Sequence, residues 1–305
     1  MIRFKMITAT FVLLLAAGCG GAPAATQSPA SNTISTPTLV AAQPTSGVQP
    51  TNETGEKLVA KVNGEGITEP EFESELARKQ QQVDAASPDA LKTDVLDQLI
   101  QNLLTLQGAK AQNIMVTDAE VQTELQTQIQ EAGGDAGWKD WLKANLYTAE
   151  EFPLILRTSL ISNKVRDTLT ADLEGNVKQV HARHILLRTE SDAKDILTKL
   201  TNGEDFAALA AQYSQDETTR ERGGDLGWFT SDELLTPQLS ETAFKLQAGQ
   251  IAGPIATELG YHVIQVIEIA DRPVEPERRV YISQTRFENW LKPLYAKAVI
   301  ERYTG

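Results

Sequence analysis

The sequence predicts an α+β chain: a mostly helical region, an α/β unit inserted after it, and a closing helix that returns to the first region. Three observations carry this expectation. Apolar residues recur every three or four positions through residues 57–178, the spacing of amphipathic helices. After Gly175 these stripes give way to short alternating runs and a glycine-rich turn. Residues 283–303 read as helical again, with Phe287, Trp290, Leu291, Leu294 and Ala298 on one side. A single helix with that much apolar surface is not stable alone, so it is expected to fold back on the first helical region.

In the first region, Val59-Ala60-Lys61-Val62 runs into Asn63-Gly64, a strong turn pair, and residues 57–67 read as a strand or hairpin. Thr68 with Glu71 forms a capping box that opens a helix, and Pro70 sits in its first turn, where a missing N–H costs little. Ser87-Pro88 opens the next helix, whose stripe is Leu91, Val95, Leu99 and Leu103, widened by Leu96, Ile100 and Leu104. Thr117 with Glu120 caps a third, which Gly133-Gly134 ends. Trp138, Trp141, Leu142 and Leu146 are read as one short helix. Thr148 with Glu151 caps a long one through Phe152, Ile155, Leu156, Leu160 and Val165 toward Leu169, with Pro153 tolerated in its early turns. Such broad stripes suit plain core, or a core with a groove for apolar peptide segments. No Cys/His cluster, phosphate loop or acid pair stands out in this region, and no cofactor is expected.

In the α/β unit, residues 180–187 alternate as a strand, residues 193–200 and 206–213 are helical, and Gly223-Gly224-Asp225-Leu226-Gly227 reads as a loop. Phe244 ends a short helical piece, and residues 251–256 and 261–267 are strands. In the closing helix, Pro293 is expected to introduce a kink.

The amino terminus gives an address. Arg3 and Lys5 precede a short apolar run that ends in Leu14-Leu15-Ala16-Ala17-Gly18-Cys19, and Cys19 is the only cysteine of 305 residues. The run is too short to span a hydrocarbon core of ~30 Å comfortably. Residues 1–18 are expected to be a signal peptide resembling bacterial lipoprotein signals, with Cys19 as the lipidation site, although Ala16 stands where such signals usually carry Leu. An ordinary secretory signal and a retained anchor are the alternatives. Residues 19–56 are expected to be a disordered tether, since residues 20–56 are almost wholly Ala, Thr, Ser, Pro, Gln, Asn and Gly, and hold no Lys, Arg or aromatic before Lys57. As a coil such a segment spans roughly 35 Å. A single cysteine rules out an intramolecular disulfide. The net charge of −13 argues against nucleic acid and anionic lipid as primary partners. Membrane attachment is therefore expected through the lipid, at an extracytoplasmic face.

All three histidines fall in the α/β unit. Alternation puts His184 on the face of Ala182 and Leu186, and His262 on that of Ile264, so neighbouring strands would bring the two rings together. Asp216, in the loop before the glycines, could reach the pair. Two satisfied core histidines beside a surface acid are one reading. A zinc site and a hydrolytic triad through Ser214 are others, but no short ligand motif or nucleophile elbow supports them.

Four blocks in order carry a resemblance. Val180-His181-Ala182-Arg183-His184-Ile185-Leu186, Tyr213-Ser214, Arg222-Gly223-Gly224-Asp225-Leu226-Gly227-Trp228-Phe229 and Gly260-Tyr261-His262-Val263-Ile264 resemble the parvulin family of peptidyl-prolyl isomerases. The lipidated start, the Val59 to Gly64 opening and the helical frame resemble PrsA-type foldase lipoproteins and SurA-type chaperones. The resemblance implies a SurA-like or PrsA-like chaperone domain over residues 57–178, a parvulin domain around an antiparallel sheet over 179–271, and a C-terminal helix over 280–305. It implies His184, His262 and Asp216 as catalytic residues, and a proline pocket of Leu226, Leu234 or Leu235, Leu239 and Phe244. Leu239 stands where a Phe is common, which implies a slacker pocket. Arg188 is hemmed by Glu190 and Asp192, a poor phosphate site, so the implied partners are unfolded or partly folded exported chains with X-Pro bonds. A homodimer through the helical domain is a further expectation. The competing function is a binding module without turnover that acts only as a holding chaperone, and a structural or adaptor lipoprotein is a third.

Overall fold

The computed structural model describes residues 49–82, 87–234 and 236–303. Cys19, the signal peptide, residues 19–48 of the tether and Leu235 lie outside these. The chain divides into two compact units: one runs to Lys164 and resumes at Leu291, and the other is Val165–Trp290. Among the described residues no helix is long and apolar enough to cross a membrane.

The first unit opens with the hairpin of β1 (Leu58–Val62) and β2 (Glu65–Thr68). Asn63 and Gly64 have φ of 53° and 87°, the left-handed pair that a two-residue hairpin turn requires. Helices α1 (Glu69–Gln82) and α2 (Pro88–Ala111) follow. Val59, Phe72, Val95, Leu96, Leu99, Ile100 and Leu104 form one core with this hairpin. Helices α3 (Asp118–Glu131), α4 (Asp135–Ala144) and α5 (Phe152–Thr170) build a second, around Val121, Leu142, Phe152 and Leu156. There Trp138 and Trp141 stack at 5.0 Å, and Phe152 meets both edge-on. Two of the three capping boxes expected in this unit form in full: Thr117 and Glu120 bond reciprocally, as do Thr148 and Glu151 at 3.1 Å each way, whereas at α1 the Glu71 N–H donates to the Thr68 hydroxyl at 3.3 Å. Leu146 does not belong to the α4 stripe. It lies beyond the helix with φ of 57° and is largely exposed, because the chain turns there.

The second unit holds β3 (Asn176–Leu187), α6 (Glu190–Thr201), α7 (Phe206–Tyr213), β4 (Asp225–Phe229), α8 (Pro237–Ala243), β5 (Ile251–Thr257), β6 (Gly260–Pro273) and most of α9 (Pro276–Lys297). The strands form one antiparallel sheet in the order β4-β3-β6-β5. Ile185, Leu187 and Val263 pack under α6 and α7 on one face. Val180, Ala182, Ile264 and Val266 pack with Phe229, Leu239 and Ala243 on the other. The glycine segment expected to be a loop contains β4: its residues 225–229 pair with β3, which supplies the backbone partners that local composition gives no sign of.

The closing segment also differs from the expectation of a helix through residues 280–305. α9 starts earlier, at Pro276, holds Pro293 inside it and ends at Lys297. The chain then re-enters the first unit as β7 (Ile300–Arg302) on the free edge of β1, giving a sheet of order β2-β1-β7. Tyr303 N donates to Val59 O, and the Asn63 side chain accepts from Val299 N. Pairing that edge satisfies backbone groups that would otherwise lie unpaired beside the buried Val59, Ala60 and Val62.

Candidate active site

The register of β3 against β6 sets the centre of the site. His184 lies opposite Ile264, and Leu186 opposite His262. Cross-strand partners share a face, so the two histidines are diagonal neighbours on one side of the sheet. Their rings stack at 5.3 Å and 19°, with the two Nδ1 atoms 3.1 Å apart. His184 Nε2 lies 2.7 Å from Asp216 Oδ2. His262 Nε2 lies 2.9 Å from the Thr257 hydroxyl, across the β5–β6 hairpin. The three expected residues and Thr257 thus form one unbroken chain of hydrogen bonds.

Asp216 is held from several sides. The Thr218 hydroxyl and backbone N–H donate to Oδ1 at 2.6 and 3.0 Å, and the Thr219 hydroxyl donates to Oδ2 at 2.6 Å. Its loop is pinned to the end of β3: Gln215 N donates to Leu186 O, and the buried Ser214 hydroxyl accepts from Leu186 N. That placement makes Ser214 a structural anchor and not a nucleophile. On the other side of β3, His184 N donates to Gly224 O at 2.9 Å. Gly224 has φ of 82°, and a Cβ there would sit 2.0 Å from the His184 carbonyl oxygen, so only glycine fits this approach.

Exposure differs among the three. His184 and His262 are 6% and 1% exposed, whereas the Asp216 side chain keeps 17%. Asp216 is the member of the trio that solvent reaches most. Hydrogen bonds from His184, Thr218 and Thr219 hold the Asp216 carboxyl well below the usual carboxylate range, so it is ionised at neutral pH. Burial, with His184 as a second cause, pushes His262 down to about 4, so that ring is neutral. An ionised carboxylate only accepts, so His184 carries its hydrogen on Nε2. One hydrogen lies between the two Nδ1 atoms, and the other nitrogen of the His262 ring meets the Thr257 hydroxyl.

The expected pocket residues fall in one cluster. Leu226, Leu234 and Phe244 are partly exposed and pack against Ala182, Ile264 and Phe229, on the same sheet face as the histidines. Leu239 belongs to this cluster but is only 2% exposed. It supports the wall from within the core and does not present a surface. Thr218, Thr219 and Thr257 were missed by the sequence reading. The two loop threonines follow Asp216 closely and could have been suspected as partners of its carboxylate. Thr257 joins His262 only through the hairpin register. Among the described residues no group of three or more His, Cys, Asp or Glu is arranged to hold a metal ion.

Residues 168–270 match the PPIC-type PPIase domain, and residues 33–166 match the SurA-like N-terminal domain. Foldase protein PrsA of Caldanaerobacter subterraneus subsp. tengcongensis is 33% identical over 243 residues, covering 72% of this chain and 76% of that protein. Foldase protein PrsA of Geobacillus sp. is 28% identical over 267 residues, covering 84% and 88%. The crystal structure of peptidylprolyl isomerase PrsA from Bacillus anthracis aligns at 31% identity over 66% of this chain and 92% of that one, with a TM-score of 0.42.

Proposed function

Since the chain belongs to the PrsA foldase family and carries its parvulin-type peptidyl-prolyl isomerase domain, we propose that Asp216, oriented by His184, His262 and Thr257, is the catalytic group of a foldase for exported polypeptides. The observation that supports this most is the hydrogen-bond chain from Thr257 to Asp216, ending at the one carboxylate of the trio that solvent reaches.

The chemistry asked of the site is small. The X-Pro isomers differ by about 0.5–1 kcal/mol, and the barrier between them is about 18–20 kcal/mol. No bond is broken. In the planar amide the carbonyl oxygen carries extra negative charge drawn from nitrogen, and in the twisted transition state this charge returns. An ionised Asp216 facing the carbonyl opposes the planar charge distribution and so favours the twisted one. Leu226, Leu234 and Phe244 grip the prolyl ring while the preceding residue turns. Ordered donors on both carboxylate oxygens keep Asp216 from rotating away.

The test is proline-limited refolding of an unfolded client, with the wild type, Asp216→Ala and His262→Ala. The wild type is expected to accelerate the slow phase, and both variants to lose most of that acceleration. A wild type that suppresses aggregation without accelerating the slow phase would leave only a holding chaperone. We extend the reading to the helical unit as the holding part, to pairing of two copies through it, and to lipid on Cys19 tethering the body at the extracytoplasmic face. Sedimentation velocity checks the pairing, and Cys19→Ser is expected to move the protein from the membrane fraction to the soluble one.

A further inference from the structure

We propose that Arg278 and Arg286 of α9 are positioning residues for the proline pocket, holding in place the β4–α8 loop that carries Leu234. The inference rests on the isomerase reading above. Both arginines lie beyond residue 270, where the match to the isomerase domain ends.

The loop after β4 is tied down residue by residue. Arg278 meets Glu233 with two hydrogen bonds, Nε to Oε1 at 2.9 Å and Nη2 to Oε2. Glu233 is 9% exposed, and its Oε2 also accepts from Thr230 N. Arg286 reaches Asp232, one residue earlier, and also holds Asp172 and the Leu169 carbonyl. Arg278 is itself fixed from behind. Its Nη1 donates to Oε1 of the fully buried Gln179 at 2.8 Å, and Gln179 Nε2 donates to Arg272 O and Pro273 O. The sheet, α9 and the loop thus share one polar network, and Leu234 is the next residue along the chain from Glu233.

The physical consequence is specific. Removing Arg278 leaves a desolvated carboxylate without its cation, a strongly unfavourable state. The cheapest relief is for Glu233 to swing into water, and the loop moves with it. Leu234 then leaves the apolar cluster, and the site loses grip on the prolyl ring while Asp216 and the histidines stay in place. Such a loss falls on binding common to ground and transition states.

The experiment uses the full chain with Arg278→Gln, Arg286→Gln and Arg279→Gln. Arg279 is the control: it lies on the same helix and bonds Val274 O and Leu173 O, not the loop. Arg278→Gln is expected to raise KM for a prolyl peptide about five- to tenfold with kcat within about twofold, Arg286→Gln to raise it less, and Arg279→Gln to leave it unchanged. Adding Glu233→Gln to Arg278→Gln is expected to cause no further loss, because the two side chains act as one unit. Hydrogen exchange supplies a readout independent of turnover: amides 230–234 are expected to exchange faster in Arg278→Gln while those of α6 do not. An unchanged KM, an equal rise with Arg279→Gln, or unaltered exchange in the loop overturns the proposal. A wild type without isomerase activity would sink the functional reading, and the exchange result would still decide whether the arginines hold the loop.

Discussion

Asp216 is held by donors on both of its carboxylate oxygens. Its ionisation is stabilised by His184, Thr218 and Thr219, and His184 in turn is oriented by the neutral His262. Asp216→Asn keeps the shape but removes the charge, and it adds a donor where His184 Nε2–H and the threonine hydroxyls already donate. We expect kcat/KM in a prolyl-peptide assay to fall roughly 10- to 100-fold with little change in KM. The buried His262 also predicts a pH dependence of stability. Its pKa lies at about 4 in the folded protein against 6.5 ordinarily. Between these values the unfolded chain binds more protons, so stability is full above pH 6.5 and is lost as pH falls through about 4. The contribution at stake is about 3 kcal/mol. Urea midpoints measured from pH 7 to pH 4 should fall, and His262→Gln should flatten that part of the profile. The histidines and Asp216 were legible as residues because alternation along two strands puts both rings on predictable faces. Thr257 was not, since its link to His262 exists only once β5 and β6 are in register.

At the scale of elements, helix starts were the most legible features. Thr117 with Glu120 and Thr148 with Glu151 are capping boxes in the sequence and in the structure alike, because the bonds span three residues. Thr117→Ala should cost about 1 kcal/mol, read as a lowered thermal midpoint of the first unit. Strand β4 was hidden for the opposite reason: its glycines resemble a loop until β3 is placed beside it. Gly224, just before β4, lies close against β3, where its carbonyl accepts from His184 N. Gly224→Ala would drive a Cβ into the His184 carbonyl and demand a left-handed backbone from alanine. We expect a loss of at least 2 kcal/mol in unfolding free energy and weakened isomerase activity, because the same backbone carries His184.

At the scale of the whole molecule, the first unit is discontinuous and is completed by residues that follow the second unit. Its sheet needs β7, and β7 follows the entire second unit. A chain ending at Lys297 would expose the edge of β1 beside buried Val59, Ala60 and Val62. Such a truncation should lower the melting temperature of the first unit and raise aggregation, measured by light scattering. Catalysis should persist at temperatures where the second unit stays folded, since Asp216, His184, His262 and Thr257 all lie between Val165 and Trp290.

The helical stripes, the caps, the Asn63-Gly64 turn, the tether-like composition and the ordered blocks that mark the catalytic region can all be read along the chain. Each of these is written in residues a few positions apart, where backbone preference and side-chain periodicity act directly. That Thr257 closes the hydrogen-bond chain, that Leu239 is buried, that β7 completes the first sheet and that Arg278 holds Glu233 emerge once the chain is folded. Those pairings join residues as far apart as Asn63 and Val299, 236 positions along the chain. Nothing local encodes them, because they arise from strand register and packing, which bring distant groups together only when the cores close.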